Sequence, residues 1–159
     1  MNYSIDIQTA CNDDIPVSKK TLKQWVKLVL LTYRPRAALT LRLVSPEEMQ
    51  ALNATYRKQD KPTNVLAFPS QVPASVRLRY PLLGDLIVCP AVLSNESQDK
   101  NIPLIAHWAH IVIHGVLHLL GFDHQATEDT ARMQAEEIRF LASLNFANPY
   151  LLHEDHYLE

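Results

Sequence analysis

Three histidines, His114, His118 and His124, recur at a spacing that could bind one metal ion. The first two lie four residues apart, so on a helix they share one face, with Cβ atoms roughly 5–6 Å apart. His124 follows His114 by ten residues, which on a continuous helix would carry it ~15 Å along the axis. Gly121 offers a way back, because glycine can take the left-handed conformation that ends a helix and redirects the chain.

Three neutral imidazoles with one open position are typical of a catalytic zinc site, whereas structural zinc sites usually have four protein ligands. Such an ion keeps its double charge and lowers the pKa of its bound water to about 7. It could act as a Lewis acid on a phosphoryl or carbonyl oxygen, or supply a hydroxide nucleophile. We therefore predict that His114, His118 and His124 bind one zinc ion, with other divalent metals possible. The opposing interpretation, histidines packed or solvated on a helix, does not account for the position of Gly121.

The spacing equals that of the metzincin protease motif HExxHxxGxxH, but Gly115 occupies the position of the general-base glutamate. Glycine cannot take a proton from a metal-bound water, so a peptidase would lack its base unless Asp85 or Asp123 reached that water. Gly115 also removes bulk beside the predicted metal, so we expect room for a larger substrate. Asp123 could orient an imidazole or close an Asx-type turn, and the residues alone do not decide between these roles. His110, four residues before His114, could support the site or contact substrate, but a packed histidine is the favoured interpretation.

The composition is that of one globular domain spanning residues 1–159. Hydrophobic residues make up 47% and charged residues 20%, which argues against disorder, and the net charge of −2 does not indicate a strongly basic nucleic-acid module. Cys11 and Cys89 form no metal-binding or disulfide pattern, so we expect reduced thiols in a cytoplasmic protein. No segment resembles a signal peptide or approaches the ~20 apolar residues of a membrane span.

The hydrophobic patterns predict the element order β-α-β-α-β-β-α-α-α. Residues 3–7 and 39–43 alternate as strands, 65–68 form a short strand, and 86–89 form a continuous buried one. Helices are predicted from the capping residues Ser18, Ser45 and Thr127, over 91–100, and over 103–120, which is apolar nearly all round and therefore central. The fold class is α+β: a single small mixed sheet of about four strands packed against helices. A tail from about residue 151 is expected to be loosely ordered.

Two blocks of sequence resemble those of a known family, the YbeY-type endoribonucleases, which are bacterial rRNA maturation factors. The first is HGxLHLxGxDH, from His114 to His124. The second is LNxxYRxxDxPTxVLxFP, from Leu52 to Pro69, and a GDxxxC segment from Gly84 to Cys89 adds a third match. Ala67 stands where the family often has serine, and this departure affects no predicted ligand.

The resemblance implies a metalloprotease-like fold in which a central helix binds one zinc through the three motif histidines. It implies single-strand-specific RNA cleavage in 16S rRNA 3′-end maturation and ribosome quality control, with the small ribosomal subunit and assembly proteins as partners. The family's conserved arginine falls on Arg57. A loop arginine alone is more often a solvated charge, but near a metal it could hold a phosphate. The implied catalytic residues are Arg57 and His114, and we expect a monomer.

Other interpretations stay open at this point. The protein could be a non-catalytic ribosome-assembly factor with a structural metal, or, less in keeping with Gly115, a metal-dependent peptidase or amidohydrolase. Eight basic residues could gather into a surface near the metal: Arg34, Arg36, Arg42, Arg57, Lys58, Lys61, Arg77 and Arg79.

Overall fold

The computed structural model of this chain describes residues 2–73, 75–123 and 125–152. The predicted ligand His124 and the tail residues 153–159 lie outside the described residues. The elements are β1 (Tyr3–Ala10), α1 (Lys19–Tyr33), β2 (Ala37–Val44), α2 (Pro46–Arg57), β3 (Val65–Pro69), β4 (Leu82–Val88), α3 (Pro90–Lys100), α4 (Leu104–Leu119), α5 (Thr127–Ser143) and α6 (Pro149–Leu152).

The four strands form one mixed sheet in the order β1-β2-β4-β3, which confirms the predicted fold class. β1, β2 and β4 are parallel, and β3 is an antiparallel strand at one edge, with β1 at the other. Beside the β3–β4 ladder, the carbonyl of Asn64 accepts a hydrogen bond from the N–H of Cys89, and the N–H of Ser70 donates to the carbonyl of Leu83. Because the bonded residues alternate along an antiparallel strand, the backbone groups of Val65 and Ala67 point to the free edge.

One face of the sheet carries the main core. Its inward residues, which include Leu41, Leu43, Leu86 and Val88, pack with the buried faces of α1 and α4. The other face has a smaller cluster under α2, built on Met49, Leu66 and Ile87 among others. Helix α4 is buried along most of its length, as its apolar sequence predicts, so its side chains are held on a rigid element.

Local sequence signals fix most helix starts. The Ser18 and Ser45 hydroxyls accept hydrogen bonds from the backbone N–H groups of Thr21 and Glu48 at 3.1 and 3.2 Å, as N-cap residues do. Thr127 was the wrong cap: it is the first residue of α5, and the cap, Ala126, makes no side-chain bond. Helix α6 covers residues 149–152, and the rest of the expected loose tail lies outside the described residues. Among the described residues, no helix has the length and apolarity needed to cross a bilayer.

Gly115 lies where α4 packs closely against β4 of the sheet. A Cβ built on it would lie 2.3 Å from Cδ1 of Leu86, a fully buried residue of β4. The space that this glycine leaves is therefore filled by Leu86, and the expectation that it makes room for a substrate is wrong. Glycine at this position allows α4 to pack close to the sheet. The same packing fixes the position of the neighbouring His114 relative to the sheet.

Gly115→Ala is expected to lower the free energy of unfolding by up to about 2 kcal/mol. The overpacking cost of about 1–3 kcal/mol is offset in part by the gain of about 1 kcal/mol that alanine brings to a helix interior. Denaturant unfolding of this variant, of Leu86→Ala and of the double variant would complete a cycle. Leu86→Ala removes the atoms that an alanine at position 115 would clash with. The losses of unfolding free energy in the two single variants should therefore sum to more than the loss in the double variant. Additivity to within about 0.5 kcal/mol would contradict this packing.

Candidate metal centre and active site

Helix α4 brings two of the predicted ligands together. The Nε2 atoms of His114 and His118 face each other at 3.1 Å, with ring centroids 4.6 Å apart. Two nitrogens bound to one tetrahedral zinc at ~2.0–2.1 Å would lie about 3.3–3.4 Å apart, so this separation suits a shared ion. Both side chains are partly exposed, which leaves the pair accessible from solvent.

A buried glutamate on α5 supports this pair. Glu137 is only 1% exposed, and its Oε2 accepts a hydrogen bond from Nδ1 of His114 at 2.8 Å. Its Oε1 contacts Nε2 of His110 at 2.5 Å and the Tyr150 hydroxyl of α6. His110 is thus packed, and because it shares its carboxylate with His114 it also contacts the group that supports the pair, the alternative that the sequence left open.

The charge of Glu137 is stabilised by these neighbours. Burial acts to raise its pKa, but hydrogen bonds from His110 and His114, and the positive charge of these rings, outweigh burial and lower the pKa to about 2. The carboxyl group is therefore ionised at neutral pH and acts as an acceptor only. Nδ1 of His114 is therefore the donor to Glu137, and in the neutral ring the lone pair lies on Nε2, the atom that faces His118.

A carboxylate behind the outer ring nitrogen is the arrangement usual for metal-binding histidines, because it fixes the tautomer and the ring orientation. The donor set of this pair therefore fits a metal ion. Within residues 2–73, 75–123 and 125–152, no three His, Cys, Asp or Glu side chains gather closely enough to hold one. Any third ligand would lie outside these residues, and His124 remains the candidate that the sequence predicts.

The end of α4 is shaped as the sequence predicts. Gly121 has a φ of +102°, in the left-handed region, and its N–H bonds to the carbonyl of His118 at 3.0 Å. The N–H of Phe122 bonds to the carbonyl of Leu117 at 3.0 Å, which completes a Schellman motif. Asp123 then accepts a hydrogen bond from the N–H of Gln125 at 2.8 Å, which is the Asx-turn alternative.

Arg57 lies at the free edge of β3. Its Nη2 donates to the carbonyl of Ala67 at 2.9 Å, and its guanidinium carbon lies 5.0 Å from the centroid of the Phe68 ring. Ala67 pairs with Leu86, which packs on Gly115, so Arg57 is anchored at the level of the helix turn that carries His114. The side chain is exposed and has donors left for a ligand.

The predicted basic residues do not all gather at this edge. Arg42 pairs with Glu48 at 3.1 Å on the α2 face of the sheet, and Arg79 lies over the ring of Tyr80, beside the β1 edge. Asp85 also lies on the α2 face, because Leu86 next to it points to α4 and side chains alternate along a strand. Arg57 lines the same α2-face groove as Arg42 and Asp85, and it reaches the edge of β3 through its bond to the carbonyl of Ala67.

The sequence prediction missed Glu137 and the hydrogen bonds that it makes. A signal was available: Glu137 is spaced with Met133, Phe140 and Leu141 on the buried stripe of α5. An acid on an apolar helix face needs a buried partner. The histidines of α4 were the obvious candidates for that partner.

Comparisons with known proteins point to one family. A sequence model of the family described as Endoribonuclease YbeY matches residues 6–145. Proteins named Endoribonuclease YbeY from Legionella pneumophila strains Corby and Philadelphia 1 are each 50% identical over 155 residues, covering 98% of this chain and of theirs. The solution structure of TM1509 from Thermotoga maritima matches with a TM-score of 0.59 and 26% identity, covering 89% of this chain and 91% of that one.

Proposed function

This chain belongs to the Endoribonuclease YbeY family, and from that premise we propose that it cuts single-stranded RNA with one zinc ion held by His114, His118 and His124. The observation that carries the proposal is the opposed pair of Nε2 atoms at 3.1 Å, with Glu137 behind one ring. We further propose that the substrate is the 3′ end of 16S rRNA, in maturation and quality control of the small ribosomal subunit in the cytoplasm.

The chain's own residues would prepare the site before RNA arrives. Glu137 holds the Nδ1 proton of His114, so Nε2 is available to a metal without a change of tautomer. The turn at Gly121 sends the chain away from the helix axis directly before His124. When bound, zinc would supply a Lewis acid and a water of lowered pKa.

Arg57 is proposed to hold the phosphate of the bond that is cut. Its contacts with Ala67 and Phe68 fix the guanidinium at the strand edge, which reduces the entropy lost when it binds a phosphate. A guanidinium can make two parallel hydrogen bonds to phosphate and can stabilise the negative charge that develops in the transition state. In this role Arg57 contacts substrate directly.

The positions of the carboxylates do not support the peptidase alternative. Asp123 is occupied by the Gln125 backbone, Asp85 lies on the far face of the sheet, and Glu137 bonds the outer nitrogen of His114. In the described part of the chain, therefore, these three acids are not placed to take a proton on the Nε2 side of the pair. The assembly-factor alternative makes a different prediction, because a structural metal would be needed for ribosome association and stability but not for RNA cleavage.

The test is cleavage of an RNA duplex that carries a 3′ single-stranded tail. Zinc-loaded protein, protein stripped with a chelator, stripped protein resupplied with zinc, and His118→Ala would be purified in parallel. We expect cuts in the tail with the loaded and resupplied samples and none with the other two. Equal cutting by all four would identify a contaminating ribonuclease. If none of them cut, and small subunits did not restore cutting, the assembly-factor alternative would replace the proposal.

A further inference from the structure

A groove lined by lysines runs between α1 and the free edge of β1. Lys19, Lys20, Lys23 and Lys27 line one side, and Tyr3 and Tyr80 are among the residues of the other side. Its volume is about 840 Å³, and none of the described residues that line it is acidic. The groove lies at the opposite edge of the sheet from β3, and so away from Arg57.

The charge in this groove is concentrated and unbalanced. The chain has 15 lysines and arginines and a net charge of −2. Four of these basic residues lie on the first three turns of α1. All four side chains are exposed, and the salt bridges found among the described residues include none of them. The groove is therefore a strongly positive surface on a protein that is weakly negative as a whole.

This arrangement works against the stability of α1. Lys19 and Lys20 stand in the first turn, where the helix dipole favours acids, and Lys19, Lys23 and Lys27 repel one another at i, i+4 spacing. The helix contains no acidic residue to offset them. Its apolar face, buried against the sheet and α4, holds the helix in place despite this repulsion. Binding of a ligand of opposite charge would offset the repulsion between these lysines.

Aromatic rings lie beside the cations. Tyr80 lines the groove and Arg79 lies over its ring at 5.5 Å, which adds a fifth positive charge at the rim. Lysines four residues apart rise about 6 Å along the helix, so the ammonium groups form a row along the groove. A row of cations beside partly exposed aromatic rings suits a polyanion that also carries flat bases.

We propose that this groove binds the phosphate backbone of RNA. The inference rests on the proposed function, since it takes RNA as the substrate, but it concerns a second contact surface at the far edge of the sheet. Three strand spacings of about 4.8 Å separate the two edges, about 14 Å in all. The nucleotides held by the lysines are therefore different from those cut beside His114, and an RNA must be long enough to reach both.

The test measures binding rather than cleavage. A fluorescent RNA duplex with a 3′ tail would be titrated with wild type, with the triple variant Lys19→Gln, Lys23→Gln, Lys27→Gln, and with the matched Lys→Arg triple variant. Glutamine has nearly the helix propensity of lysine, so the exposed face of α1 should fold unchanged, which circular dichroism would verify. Anisotropy would be recorded over a series of salt concentrations.

We expect the glutamine variant to bind about tenfold or more weakly at moderate salt. Each lost phosphate contact removes roughly 0.7–0.9 from the slope of log K against log salt, so the slope should fall by about 2. The arginine variant should keep both the affinity and the slope. A dinucleotide, too short to span the two edges, should bind at the active-site side and therefore with equal affinity to a His114→Ala protein and to its Lys→Gln derivative.

An unchanged slope in the glutamine variant would overturn the inference. So would stronger displacement of the RNA by poly-glutamate than by an unlabelled RNA of equal charge, which would identify the groove as a site for acidic protein. Because binding is read without catalysis, a protein that fails to cut RNA can still show or lack the lysine-dependent slope. Failure of the proposed activity and failure of this inference are thus separate results.

Discussion

Replacing His114 with alanine is expected to abolish RNA cleavage, with a loss of at least about 1000-fold in rate, while the fold is retained. His114 is the residue on which the site converges, because its Nε2 faces His118 and its Nδ1 bonds Glu137. Its removal takes away a proposed metal ligand, and both roles of a catalytic metal, Lewis acid and activator of water, depend on that ion being held. The side chain is partly exposed, so alanine leaves no large core cavity.

The matched control is His110→Gln, one helical turn earlier. His110 shares the Glu137 carboxylate, but its Nε2 is directed at that carboxylate rather than at His118. A role in metal binding therefore predicts a far smaller loss of cleavage for His110→Gln than for His114→Ala. Rates would be measured on a tailed RNA duplex at saturating zinc, with thermal unfolding of both variants in chelator as the test of folding. Full cleavage by a folded, metal-free His114→Ala protein would contradict the site.

The elements could be predicted because their signals are local. Capping serines begin α1 and α2, the uniformly apolar stretch identifies α4 as central, and Gly121 ends that helix with a left-handed residue. Each of these depends on a few neighbouring residues and on backbone preferences that hold in any fold. The pair His114 and His118 belongs to this class, since four residues on a helix bring them onto one face regardless of tertiary structure.

The parts that escaped prediction depend on contacts between distant segments. Glu137 lies 23 residues beyond His114, and only the packing of α5 on α4 shows that it is the acid that bonds the histidine. The sequence suggested that Gly115 leaves room for a substrate, but in the folded protein Leu86 of the sheet fills that space. The sequence did not indicate where the basic residues would lie, because their places depend on the order of the strands in the sheet. That order separates the basic residues near β1 from Arg57 at β3.

Glu137→Gln is expected to weaken metal binding by about 10- to 100-fold, the usual cost of losing a partner that orients a metal-binding histidine. The amide nearly matches the carboxylate in shape, so packing should be preserved. It loses the negative charge, however, and its NH₂ group cannot accept a hydrogen bond from His110 or His114. His114 can then shift its proton to Nε2, the nitrogen proposed to bind the metal. Metal affinity would be measured by competition with a coloured chelator.

Glu136→Gln is the control that makes this experiment specific. Glu136 is the neighbouring acid on α5, but it bonds Arg139 at 2.9 Å and the Tyr33 hydroxyl rather than the histidines. The same change of charge one residue away should therefore leave metal affinity unchanged. At saturating metal, cleavage by Glu137→Gln should recover in part, because the ligands themselves are intact. Equal metal affinity in wild type and both variants would show that Glu137 holds only the packing of α4 on α5, and that the tautomer of His114 is set by another group.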